Sequence, residues 1–211
     1  MKYHKILLVF AMLSAGAGVA HGDRMAMVTK AEHHHHDMAV PGGSYKRSIE
    51  HYQMPDVKLI DSNGKLVSLR SSLDTDSPVM LNFIFTTCAA ICPVMSSTFS
   101  SVQEKLGVQE KPGAEHKVRL ISVSIDPEHD SPSRLNAYAK KFGAGAQWSM
   151  LTGSVENSIA VQRAFDAYLG DKMNHRPITF IRKGPGEPWL RIDGLASADD
   201  LLREYQKLSS N

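Results

Sequence analysis

Along this chain the hydrophobic pattern changes rhythm twice. A basic start (Lys2, His4, Lys5) leads into an apolar stretch from Ile6 to Ala20, followed by a polar segment without apolar period. From Val57 the pattern turns to strands: Val57-Lys58-Leu59-Ile60, then Asp61-Ser62-Asn63-Gly64, then Lys65-Leu66-Val67-Ser68-Leu69. Asn-Gly between two alternating runs predicts a β-hairpin. Residues 79–85 are almost entirely apolar, as a strand covered on both faces requires. Pro93 suits a first helical turn, and Val94, Phe99, Val102 and Leu106 recur at helical spacing up to Gly107. Residues 118–125 predict a second buried strand, stopped by Asp126-Pro127. Ser131-Pro132 then opens a helix that carries Leu135, Tyr138, Ala139 and Phe142 and ends at Gly143. A short strand over 148–151 precedes a helix over 155–168, with Ile159, Ala160, Ala164, Phe165 and Tyr168 on its inner side. Strands over 178–182 and 189–192 form a closing hairpin around Gly184-Pro185-Gly186, and a final helix covers 198–208. The alternation predicts an α/β fold: a central mixed sheet, partly parallel, flanked by helices and preceded by a β-hairpin.

Charge and length narrow the setting. Residues 1–22 have the layout of a signal peptide cut after Gly22, since fifteen residues of apolar stretch fall short of the about 20 that a membrane span needs. An uncleaved inner-membrane anchor is the alternative. Export predicts a periplasmic, oxidising location. Of 24 basic residues, Lys2 and Lys5 leave with the leader, so 22 face 22 acidic ones and the mature chain is near neutral. Nucleic acid is thereby set aside as a partner. Residues 23–44 read as a disordered tail containing Met25, Met27, His33, His34, His35, His36 and Met38, either an inert linker or a tract that gathers copper. Residues 45–211 suit one domain.

Cys88 and Cys92 are the only two cysteines, in Thr86-Thr87-Cys88-Ala89-Ala90-Ile91-Cys92-Pro93 at the end of the apolar strand. A spacing of four puts both sulfurs on one face of a helical turn, where they can share a metal ion or a disulfide. A helix amino terminus lowers a thiol pKa. A purely structural disulfide is the plainer alternative, although so short a ring stabilises only by about 2 kcal/mol. For a third donor, His175 stands apart from the other histidines, in the polar loop Lys172-Met173-Asn174-His175-Arg176-Pro177 just before a strand. Two thiolates plus an imidazole suit copper, Cu(I) above all. Met95 reads as core filling, and Asp126 as the cap of the turn at Pro127 rather than a group orienting the site.

With Pro55-Asp56-Val57-x-Leu59-x-Asp61-x-x-Gly64, the cysteine block, Ser122-Val123-Ser124-Ile125-Asp126-Pro127-x-x-Asp130-Ser131-Pro132 and the late His175, the chain resembles the Sco/SenC family of copper proteins. The resemblance covers nearly everything from Met54 to Tyr205. It implies a thioredoxin-like fold, with Pro177-Ile178-Thr179-Phe180 as the proline-led strand facing the cysteine helix. It also implies Cys88, Cys92 and His175 as ligands of Cu(I) or Cu(II). The implied role is to deliver copper to the binuclear copper site of cytochrome c oxidase, or to reduce that site's cysteines. The partner is then the oxidase's copper-bearing subunit or another copper protein. The protein itself is expected to be a monomer, near the membrane but not spanning it once cleaved. Asn174 departs from the pattern, because many members carry an acidic residue before the histidine. Three functions are open: a copper chaperone without turnover, a periplasmic thiol–disulfide oxidoreductase with Cys88 and Cys92 as its catalytic pair, and a peroxide-scavenging thiol enzyme.

Overall fold

The computed structural model describes residues 45–109 and 118–210. The expected leader (1–22) and tail (23–44) lie outside the described residues. Eight strands form one sheet in the order β1 (Lys46–Glu50), β8 (Trp189–Asp193), β7 (Ile178–Arg182), β4 (Val79–Ile84), β5 (Arg119–Ser124), β6 (Trp148–Thr152), β2 (Lys58–Asp61), β3 (Leu66–Ser68). The three middle strands, β4, β5 and β6, run parallel. They are joined through α2 (Ile91–Gln109) and α3 (Pro132–Lys141). The expected first hairpin forms from β2 and β3 and adds to β6, and β7 and β8 close the other side. Asp61 sets the first turn by accepting the N–H groups of Asn63 and Lys65, both at 2.9 Å, while Gly64 takes the φ of +83° that a side chain would resist.

Each face of the sheet carries its own core. On one, Met80, Ile84, Leu120, Trp148 and Ile181 meet Phe99 and Val102 of α2, Leu135 of α3 and Leu201 of α5 (Ala198–Ser210). On the other, Leu81, Phe83, Val123 and Phe180 meet Leu69 and Leu73 of α1 (Leu69–Leu73) and Val161 of α4 (Val155–Ala164). Met95 is core, as expected.

Three elements differ from expectation. Lys46–Glu50 forms an edge strand, β1, paired with β8 and pinned to α5 by Arg47 and Glu204 at 2.8 Å. Leu69 starts a one-turn helix instead of ending a strand, because the Ser68 side chain caps it by accepting the Ser71 N–H. The helix expected over 155–168 stops at Ala164. Arg191 accounts for this by donating to the carbonyls of Phe165 (2.9 Å) and Asp166 (3.3 Å), and Asp166 turns the chain at φ +50°. The inner face of α4 also differs: Ser158, Val161 and Gln162 are buried while Ile159, Ala160 and Ala164 are only half-buried, and of the expected inner residues Phe165, just past the helix, is fully buried.

Candidate metal centre

The carboxyl end of β4 presents the cysteines. The Cys88 N–H bonds the Phe85 carbonyl at 3.2 Å, and α2 begins only at Ile91. Cys88 therefore lies before the helix and Cys92 within its first turn, which corrects the expectation of two sulfurs on one helical turn. From outside the helix, the Cys88 Sγ accepts the Cys92 N–H at 3.5 Å, one of the donors that the first turn leaves without a helical partner. Both thiols are free, and no bond joins them in this arrangement. Their surroundings differ sharply. Cys88 is half-buried; burial works to raise its pKa, but the N–H groups of Cys92, Ala90 and Ile91 and the Cys92 thiol outweigh it and hold Cys88 below the ordinary cysteine value. Cys92 is fully buried, and burial together with the neighbouring Cys88 pushes its thiol far up, against a single opposing Phe85 N–H.

His175 closes a 3₁₀ turn over Lys172–Asn174, whose N-cap Asp171 accepts the Met173 N–H at 2.8 Å. Its Nε2 lies 3.0 Å from the Phe83 carbonyl oxygen. A carbonyl only accepts, so Nε2 carries the proton and Nδ1 keeps its lone pair. Burial lowers the ring's pKa, with the Phe83 bond working weakly the other way, so the imidazole is held neutral. A ligating histidine is oriented in this manner, by giving its second N–H to a carbonyl or carboxylate. The Phe83 carbonyl thus fills the place left by the missing acidic neighbour, and Asn174 is exposed. Phe85 is the common neighbour of all three candidates. Its carbonyl holds Cys88, its N–H faces the Cys92 thiol, and its ring meets that of His175 edge-on with centroids 6.5 Å apart. Among the described residues no three His, Cys, Asp or Glu side chains are already gathered as a metal cluster. The soft S₂N donor set of Cys88, Cys92 and His175 suits copper, once the histidine turn draws in.

The turn after β5 supports both halves. The Asp130 carboxylate, fully buried, accepts from the Thr86 N–H at 3.1 Å, the Thr86 hydroxyl at 2.5 Å and the Ser124 hydroxyl at 2.6 Å, which fixes the approach to Cys88. Asp126 does more than cap. Its carbonyl accepts the N–H groups of His129 and Asp130, as expected of a turn, but its carboxylate also meets Lys172 Nζ at 2.5 Å and His129 Nδ1 at 3.0 Å. Burial alone would raise the Asp126 pKa, and the bonds from Lys172 and His129 instead lower it. Sequence reasoning quoted Asp130, Thr86 and Lys172 within motifs but gave them no role, and it missed the Phe83 carbonyl. Beyond His175 opens a cavity of about 390 Å³ between the 125–128 turn, α4 and the 167–172 loop.

Three comparisons bear on this geometry. A protein from Bacillus subtilis described as SCO1 protein homolog is 32% identical over 179 residues, covering 80% of this chain and 89% of its own. The solved structure of BsSco, a member of the Sco family of cytochrome c oxidase assembly proteins with a disulfide switch, superposes with a TM-score of 0.63 at 27% identity, covering 77% of this chain and 96% of its own. Arabidopsis thaliana ScoI, solved with copper bound, shares the fold at a TM-score of 0.59 and 22% identity, over 73% of this chain and 96% of its own. The thioredoxin-like architecture is the one these structures have, and no described helix is long and apolar enough to cross a membrane. The SCO1/SenC family model matches residues 47–210, so this chain belongs to the SCO1/SenC family.

Proposed function

We propose that this protein is an exported, periplasmic copper carrier that holds one copper ion through Cys88, Cys92 and His175. It delivers that ion to the binuclear copper site of cytochrome c oxidase during assembly, without turnover of its own. The observation that carries the reading is the His175 ring, whose Nε2–H is given to the Phe83 carbonyl at 3.0 Å so that Nδ1 keeps its lone pair for a metal. Family membership and a copper-bound relative support the choice of ion. Uptake of Cu(I) by the two cysteines releases whatever thiol protons they still carry, that of the buried Cys92 above all.

A second reading is favoured by the asymmetry of the thiols. The accessible Cys88 thiolate would attack a partner's disulfide to give a mixed disulfide. Cys92, after losing its proton, would then attack Cys88 Sγ, leaving Cys88–Cys92 oxidised and the partner reduced to its dithiol. His175→Ala separates the two. Copper(I) affinity of the reduced protein, measured by chelator competition, falls by at least the order of a hundredfold, more than loss of a merely orienting residue costs. Thiol–disulfide exchange survives. Unchanged copper affinity, or equal loss of both activities, would show the ligand set to be wrong.

A further inference from the structure

The turn that leads into His175 contributes little to the core, although the imidazole itself packs against Phe85. None of Lys172–Asn174 is buried, and Met173 is 73% exposed. Behind the turn lies the cavity of about 390 Å³, whose walls include Asp126, Tyr168, Lys172 and His175 themselves. A turn whose own residues are unburied and border a cavity is placed largely by its polar tethers. Here the tethers are few. Asp171 caps the turn, Phe83 takes the imidazole N–H, and Lys172 reaches across to Asp126.

The last tether has features that an ordinary surface pair lacks. Asp126 is only 5% exposed, its second oxygen is fixed by His129, and its backbone is locked into the turn that also carries Asp130. Lys172 keeps a third of its surface and lies over the Phe85 ring at 5.8 Å, the same ring that meets His175. The His175 N–H in turn bonds the Lys172 carbonyl at 3.1 Å. A shift at Lys172 therefore passes directly to the imidazole. Through Asp130 and Thr86 the same five-residue turn sets the cysteine loop, so one rigid segment references the sulfurs and the imidazole to each other.

Building on the copper reading above, we propose that Lys172 is a positioning residue, whose ion pair with Asp126 holds the His175 turn in place and so keeps the imidazole on the Phe83 carbonyl with Nδ1 unprotonated. Lys172 touches no copper. It fixes where the third ligand waits.

The test uses the full mature chain, reduced, as wild type, Lys172→Met, Lys172→Arg and Asp126→Asn. In the copper-free proteins, the ¹⁵N imidazole shifts of His175 and the amide exchange of residues 172–175 are measured by NMR. Copper(I) affinity is then read by chelator competition. Lys172→Met is expected to replace the single Nε2–H signature with a tautomer mixture, to speed exchange of the turn, and to weaken copper about tenfold, the usual cost of losing a group that orients a ligand. Asp126→Asn reproduces these changes. Lys172→Arg keeps the charge and stays close to wild type. Unchanged His175 shifts and exchange in Lys172→Met overturn the proposal, as does an arginine variant as impaired as the methionine one. If His175→Ala leaves copper affinity untouched, the ligand reading fails, while the copper-free NMR still decides whether Lys172 holds the turn.

Discussion

Replacing Asp130 with alanine lowers folding stability by about 3 kcal/mol and loosens the loop that carries Cys88. The carboxylate is fully buried and gathers three donors from two segments: the Thr86 N–H, the Thr86 hydroxyl and the Ser124 hydroxyl. Alanine leaves all three without an acceptor. The hydroxyls can rotate toward other oxygens, but the backbone N–H of Thr86 is fixed, and a stranded buried donor costs about 1–3 kcal/mol. Asn keeps one acceptor oxygen, so Asp130→Asn is expected to lose about half as much. Urea unfolding with an unchanged m-value measures both. A loss below about 1 kcal/mol for alanine would contradict the role given to this carboxylate.

At neutral pH a small alkylating agent modifies Cys88 faster than Cys92 by on the order of a hundredfold or more. Only thiolate reacts, and the two sulfurs differ in both thiolate content and access. Amide N–H groups at the start of α2 hold the Cys88 pKa below the ordinary cysteine value, so its rate reaches its plateau at lower pH than a free cysteine's. Burial holds Cys92 as the protonated thiol well above neutrality, with no exposed surface. Mass spectrometry after partial alkylation assigns the site. Equal labelling, or labelling first at Cys92, would contradict the arrangement.

The parts of the fold that could be read from sequence are those where burial dictates residue type. β4 and β5 are covered on both faces and contain runs of apolar residues, so their places were plain. β1 reads Lys46-Arg47-Ser48-Ile49-Glu50, and as a mostly exposed edge strand held by pairing with β8 and by Glu204 it carries no such run. On α4 hydropathy pointed to Ile159 and Ala160, yet Ser158 and Gln162 face inward because they bond each other and the Ser124 carbonyl. Cys88 and Cys92 were evident from composition and spacing, and His175 from its loop and the family motif. Their supports were not. Thr86 meets Asp130 across 44 residues, and Asp126 meets Lys172 across 46, so local pattern holds no trace of either pair. The group that accepts the His175 N–H is a backbone carbonyl, which no residue type marks.

The claim that two thiolates and one imidazole hold the ion is tested most directly by X-ray absorption at the copper edge, on reduced protein loaded with one equivalent of Cu(I). Two sulfurs and one nitrogen in the first shell, the nitrogen disappearing in His175→Ala, is the predicted result. A shell of sulfur alone in the wild-type protein, or a spectrum that His175→Ala leaves unchanged, would contradict it.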